Sequence, residues 1–159
     1  MKFNSALRNF VLVLFSTLLI SACSTAKKAA LDTVDDVYTG TETVEYLAKG
    51  VPDRVFFATN KSKLTTRSRD TLRKQATWLR KNKDVTVTVE GHADERGTRE
   101  YNLALGERRA NAAKDYLMTY GVSGKRITVI SYGKEKPVNP ASSPLAWSQN
   151  RRSVTVKTN

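Results

Sequence analysis

Cysteine and histidine are nearly absent: the chain holds Cys23 and His92, one of each, in 159 residues. A single thiol excludes an internal disulfide framework and a cysteine-rich metal centre. The fold must therefore rest on its hydrophobic core. Long apolar runs are also missing. The stretch over residues 10–20 spans about eleven residues, too short to cross a bilayer comfortably. Acidic residues are few, 15 against 27 Lys and Arg, which leaves a net charge of +12. No internal repeat and no low-complexity block appears.

What is present begins with an export leader. Lys2 and Arg8 precede the apolar stretch, and small residues Ser21 and Ala22 follow it. That order is the pattern of a secretory signal. A plain signal has no need of a cysteine after its cut. LISAC over residues 19–23 instead resembles the bacterial lipobox. The resemblance implies cleavage after residues 1–22, a diacylglyceryl group on the Cys23 thiol and acylation of the new amino terminus. Burying acyl chains contributes about 0.8 kcal/mol per CH₂, so two or three chains make a durable anchor. Ser24, rather than Asp, after the cysteine implies sorting to the outer membrane. A lipidated Cys23 leaves no thiol for a disulfide, a metal or catalysis.

The positive charge is uneven. The leader is +2. Residues 24–50 carry Lys27, Lys28 and Lys49 against Asp32, Asp35, Asp36, Glu42 and Glu45, a net of −2, so the whole +12 falls on residues 51–159. A domain this basic expects an anionic partner. Nucleic acid is the usual candidate, but an exported lipoprotein does not meet it in the periplasm. Cell-wall carboxylates or acidic lipid fit better. Residues 23–50 are small, polar and weakly patterned, and read as a lipidated start and flexible tether, with a short ordered piece near Val44 to Leu47.

From Val51 one domain's worth of pattern follows. A strand is expected over 54–58 and a loop over 59–64. Thr65 or Thr66 caps a helix to about Lys81, with Leu72, Ala76 and Leu79 inward. A strand over 84–91 alternates Val85, Val87 and Val89 with polar residues. Thr98 caps a helix over 99–120, whose inner stripe is Leu103, Gly106, Ala110, Ala113 and Leu117, and Gly121 stops it. A strand over 125–132, a helix over 144–150 and a strand over 152–157, with Val154 and Val156 inward, complete the chain. The order β-α-β-α-β(-α-β) suggests an α+β single domain, one mixed sheet with helices packed on one side.

The densest polar segment is a strand end, a glycine-bounded loop and a helix start. Asp94 lies in the loop. Arg109 lies about 120° from Leu103 on a helical wheel, which takes it off the core stripe and toward the surface. The motifs here are EGHADERGT over 90–98, EYNLALGERRA over 100–110, SYGKEKP over 131–137 and NRR over 150–152. They resemble the peptidoglycan-associated lipoproteins of Tol–Pal systems, which carry the OmpA-like C-terminal domain. The resemblance covers residues 53–157.

It implies a binding protein with no enzymatic activity, no cofactor and no metal. In the family, the residues at Asp94 and Arg109 clamp the meso-diaminopimelate of the peptidoglycan stem peptide. Asp94 takes its free ammonium and Arg109 its carboxylate. The chemistry suits a zwitterion: one anion and one cation a few ångströms apart, with the planar guanidinium fork matching a carboxylate. The first loop often carries Asp in this family, where Asn60 stands here, so Asn60 joins the site without charge. The implied partners are peptidoglycan, the outer membrane through the lipid on Cys23, TolB on the same face in competition with the wall, TolA during envelope constriction, and other outer-membrane proteins. The domain would face the periplasm. No nucleic-acid partner is expected.

Other readings stay open at this level. One is an OmpA-like wall-binding lipoprotein without a Tol role. Another is a wall hydrolase using His92, Asp94 and Glu95, although a glycosidase pair must face each other across a sugar rather than stand side by side in a loop. A third is a basic domain on acidic lipid or nucleic acid. His92 reads as a structural histidine that hydrogen-bonds its loop. Trp78 and Trp147 read as packing residues. Arg151 and Arg152 either flank the ligand or solvate a strand edge.

Overall fold

The computed structural model describes residues 36–158. The signal over 1–22, Cys23 and the start of the tether lie outside the described residues. The elements are β1 (Tyr46–Ala48), β2 (Val51–Pro52), β3 (Arg54–Phe56), α1 (Thr66–Lys81), β4 (Val87–His92), α2 (Arg99–Thr119), a 3-10 turn (Gly124–Arg126), β5 (Ile127–Gly133), α3 (Pro144–Asn150) and β6 (Arg152–Lys157). The main sheet runs β3-β6-β4-β5, and β1 and β2 form a separate two-stranded ladder. β4 and β5 are parallel, while β6 runs antiparallel to both of its neighbours. This is the α+β mixed sheet that the pattern implies, with one small sheet added.

Helix ends fall where local chemistry puts them. Thr65, Thr98 and Ser143 each accept a hydrogen bond from the backbone N–H three residues on, satisfying a donor that the first turn leaves free. Gly121 takes φ 83° and ends the second helix.

The compact unit begins at Asp36 rather than Val51. Leu47 is only 3% exposed and joins the core of Val55, Phe57, Leu72, Leu79, Val89 and Leu117. Tyr38 sets its ring edge-on to Phe56, 4.8 Å between centroids. The short ordered piece expected near Val44 to Leu47 appears as β1, whereas Tyr38 alone in an otherwise polar stretch is too weak a pattern to show in sequence.

Helices α1 and α2 cover one face of the sheet. Gln75 of α1 accepts from Thr155 of β6 at 2.8 Å and donates to the Pro52 carbonyl at 2.7 Å. Thr155 therefore points at the helices, and by strand alternation Val154 and Val156 point away from them. Of the two valines expected inward, Val154 is buried, on the helix-free side, and Val156 is corrected, being 41% exposed. That side holds a shallow groove of about 540 Å³ whose lining includes Arg54, Glu90, His92, Arg152 and both valines.

α2 lies almost on the backbone of β4. A Cβ at Gly91 would stand 1.8 Å from the Gly106 carbonyl oxygen, and one at Gly106 would stand 2.4 Å from Ser131 Oγ. Backbone cannot yield as a flexible side chain can. Gly91→Ala is expected to destabilise the domain by about 3 kcal/mol, the upper end for overpacking, read as a lower urea midpoint at unchanged m-value. This contact fixes the height of α2 on the sheet, and with it the position of the site described next.

Candidate functional site

The site gathers where β3 and β4 end. After β3 the Phe57 amide donates to the Arg151 carbonyl at 2.9 Å, and the chain then turns, Lys61 N–H donating to Ala58 O at 3.1 Å. Asn60 at the tip of that turn has φ 54°. Asn tolerates the left-handed region better than most residues because its short side chain is compact and polar. Its exposed side chain has no hydrogen-bond partner among the described residues, so the turn's conformation accounts for an Asn here without any charge.

Arg109 reaches this turn from α2. Its Nε donates to Lys61 O at 2.9 Å, Nη1 to His92 O at 2.7 Å and Nη2 to Ala58 O at 3.1 Å. The side chain is 0% exposed. The expectation of a near-surface Arg109 is corrected, and so is the inner stripe: Asn102, Leu105 and Arg109 are buried along with Gly106, Ala110, Ala113 and Leu117, while Leu103 is only half-buried. Those positions keep perfect helical spacing. A wheel that admits only apolar residues skips the polar ones.

Among the described residues no carboxylate lies within ion-pair distance of Arg109. Burial chiefly, then Arg151, pull its pKa down to about 10, against Asp94 and Tyr101. It stays charged at neutral pH. Three of its donors are occupied by carbonyls, and a guanidinium has five.

Asp94, 7% exposed, sits on the other side of the turn. Its Oδ1 accepts from Arg96 N at 3.1 Å and Arg96 Nε at 3.2 Å, and its Oδ2 accepts from Arg96 Nη2 at 2.7 Å and Arg151 Nη1 at 3.4 Å. Burial alone would raise its carboxyl, but the hydrogen bonds from Arg96 and Arg151 outweigh burial and hold it below its ordinary value. Arg96 Nη2 also donates to Thr59 Oγ1 at 3.2 Å, which ties Asp94 to the turn that Arg109 grips. Asn102 donates to Arg96 O at 2.9 Å and steadies the loop. The structure thus joins Asp94 and Arg109 to one short turn, with Asn60 at its tip.

Arg151 belongs to the same cluster. It is 2% exposed and donates through Nε to Phe57 O at 3.0 Å. Of the two readings open to it, flanking the site is the one its contacts fit. Arg152 points the other way, to the helix-free groove. Arg96 is the residue of this cluster to which sequence reasoning assigned no role. The available signal was its position, two residues after Asp94 in the same loop.

His92 contributes its carbonyl rather than its ring. The expected hydrogen bond from the ring to its loop is corrected, because neither ring nitrogen has a hydrogen-bond partner among the described residues. The ring packs against Tyr132 and has Nε2 3.5 Å from Glu90 Oε2. Burial first, then the cations Arg152, Arg54 and Lys136, lower its pKa to about 3. A histidine that cannot take up a proton when folded costs stability as pH falls below its unfolded value, because the unfolded chain then binds the proton and the folded one does not. Unfolding free energy is expected to fall by about 2 kcal/mol from this residue between pH 6.5 and 4.5. In urea titrations His92→Leu should flatten that part of the pH profile.

Glu95 turns away from Asp94. It accepts from Trp147 Nε1 at 2.8 Å and Ser142 Oγ at 3.0 Å. Trp147 in turn carries the Arg96 guanidinium 4.4 Å over its ring. His92, Asp94 and Glu95 therefore form no facing pair and no nucleophile–base contact. Among the described residues no cluster of His, Cys, Asp and Glu could hold a metal ion, and no helix is long and apolar enough to span a membrane.

Comparison with known proteins gives a consistent set of similarities. The OmpA family matches residues 56–151. A peptidoglycan-associated lipoprotein of Rhizobium meliloti is 57% identical over 106 residues, 67% of this chain and 60% of that protein. One of Brucella melitensis is 43% identical over 150 residues, 91% of this chain and 89% of its own length. The matches thus take in about three fifths of the rhizobial relatives and most of the Brucella protein. The crystal structure of the peptidoglycan-associated lipoprotein from Burkholderia pseudomallei superposes with a TM-score of 0.65 at 35% identity, over 67% of this chain and 90% of that one. The C-terminal domain of Helicobacter pylori MotB shares the fold, TM-score 0.63 at 22% identity.

Proposed function

The chain belongs to the OmpA family, and from that premise we propose that it is an outer-membrane lipoprotein that binds peptidoglycan non-covalently through meso-diaminopimelate. The observation that carries this reading is the convergence of Asp94 and Arg109 on the turn over 58–61. One side of the turn offers an acceptor anion. The other offers a buried cation that, among the described residues, has no carboxylate of its own. A zwitterionic side-chain end needs both charges in one place.

In this mechanism the ligand ammonium displaces the partly exposed Arg96 from Asp94. The ligand carboxylate faces the arginine pair Arg109 and Arg151. Arg109 also holds the Ala58 and Lys61 carbonyls inward, and the Thr59 N–H faces away from the turn, toward a carboxylate oxygen. Asn60 supplies the turn's left-handed residue. Each charge-assisted contact contributes about 1.5–3 kcal/mol, so a single site binds modestly and a polymeric wall compensates through many copies. The family is non-enzymatic, and the divergent contacts of Asp94 and Glu95 agree with that.

The wider role follows from the motifs. Lipidation at Cys23 would hold the domain on the outer membrane facing the periplasm, and residues up to Asp35 would span the gap. Binding to TolB at this same face, in competition with the wall, and to TolA and other outer-membrane proteins would tie the layers together and support envelope integrity and constriction during division. The full chain incubated with insoluble wall sacculi should sediment with them, and free diaminopimelate should release it. Failure to sediment, or retention that fades with salt alone and ignores both diaminopimelate and Arg109→Lys, would reject the reading in favour of simple charge attraction.

A further inference from the structure

The site contains one carboxylate that does not belong to its framework. Asp36, the first described residue, reaches in from the tether side. Its Oδ1 accepts from Arg151 Nη2 at 2.6 Å, and its Oδ2 accepts from the Thr59 backbone N–H. Its own carbonyl also receives Arg151 Nη2. Arg151 thus holds two aspartates at once, Asp94 through Nη1 and Asp36 through Nη2. Asp94 is built into the loop after β4. Asp36 is not anchored by any element.

The seat itself is well made. Arg151 is nearly fully buried, fixed by Phe57 O and Asp94, and aims its remaining donors at the point where Asp36 lies. The Thr59 N–H sits on the turn that Arg109 pins. One guanidinium N–H and one backbone N–H directed at two oxygens of a carboxylate are an anion site in miniature. By contrast, the arm that fills it is lightly held. Asp36 is 37% exposed through its side chain, and the chain regains the core two residues later, where Tyr38 packs on Phe56. Withdrawing Asp36 therefore breaks polar contacts without opening the core.

We propose that Asp36 is an internal stand-in for the ligand's carboxylate, seated on Arg151 and the Thr59 amide, which the wall peptide must displace. This rests on the reading of the site as a diaminopimelate binder and adds its regulation. The apparent affinity is then the intrinsic affinity reduced by the fraction of molecules with the seat free.

The test titrates the tripeptide L-Ala–D-Glu–meso-diaminopimelate into the full-length chain by calorimetry, with Asp36→Ala and Asp36→Asn beside wild type. If the arm is seated nine times in ten, Asp36→Ala tightens binding about tenfold, and Asp36→Asn, which keeps the shape and loses the charge, falls between. Hydrogen exchange at the Thr59 amide gives a second readout: protected in the free wild type, unprotected in free Asp36→Ala, protected again with peptide bound. Wild-type binding that Asp36→Ala leaves unchanged or weakens overturns the stand-in while leaving the wall-binding reading intact. Absence of binding in wild type and variants alike overturns both. Thr59 exchange that is the same in free wild type and free Asp36→Ala overturns the seat itself.

Discussion

Arg109→Ala is expected to abolish sedimentation with sacculi and to lower stability by about 3 kcal/mol or more. The stability loss follows from what the guanidinium satisfies. Its removal takes the guanidinium donor from the Lys61 and His92 carbonyls and one of two donors from Ala58 O, which keeps the Lys61 N–H, and an unsatisfied buried polar group costs about 1–3 kcal/mol. The turn relaxes into some of that space, so the total stays below the sum. A domain with about 5–15 kcal/mol of stability still folds at that cost. Loss of binding follows from two causes, loss of the site's uncompensated cation and loss of the turn's fixed shape. Arg109→Lys separates them. A lysine keeps the charge but cannot reach three carbonyls with a planar fork. It should recover most of the fold, read by urea midpoint, and still bind at least tenfold more weakly.

Asp94→Asn should cost binding about a hundredfold while leaving the fold close to wild type. The substitution keeps volume and acceptor capacity on one atom, but gives up the charge that an ammonium requires. Two charge-assisted hydrogen bonds of about 1.5 kcal/mol each amount to about a hundredfold. The structural effect is smaller because Arg96 is partly exposed and swings to water. Arg151 keeps Phe57 O and Asp36. The carboxyl's low pKa adds a pH signature. A folded value below the unfolded one gives stability that is present above the ordinary carboxylate pKa and lost as pH falls through the folded one. Wild-type sacculus binding should therefore persist through pH 4–5. The Asp94→Asn chain should lack the acid-limb loss of stability that Asp94 contributes.

The parts of the fold that were readable from sequence are those with local causes. Thr65, Thr98 and Gly121 mark helix ends because capping is satisfied within a turn. The strand expected over 84–91 appears as Val87–His92, since its start is set by pairing with Ile127 and Lys157, partners that local pattern does not contain. Val154 and Val156 alternate as a strand should, yet alternation does not say which face meets the helices. The ordered piece near Val44 to Leu47 showed in the pattern, but Tyr38 is a single anchor in a polar stretch, so the folded arm from Asp36 passed for tether. In the site, Asp94 and the turn were legible from motif. The burial of Arg109 was not, because a helical wheel treats charge as outside. Arg151 stands 57 residues from Asp94 and 115 from Asp36; only tertiary structure brings the three to one point.

The most direct measurement of the central claim maps amide chemical shifts of the chain as the diaminopimelate tripeptide is added. The account expects the largest changes at Ala58 to Lys61, Asp94 to Arg96 and Arg151, and no comparable effect from a tripeptide with lysine in place of diaminopimelate, which lacks the second carboxylate. Changes centred instead on Arg152, Val154 and Val156 in the helix-free groove, or equal responses to both peptides, would contradict it.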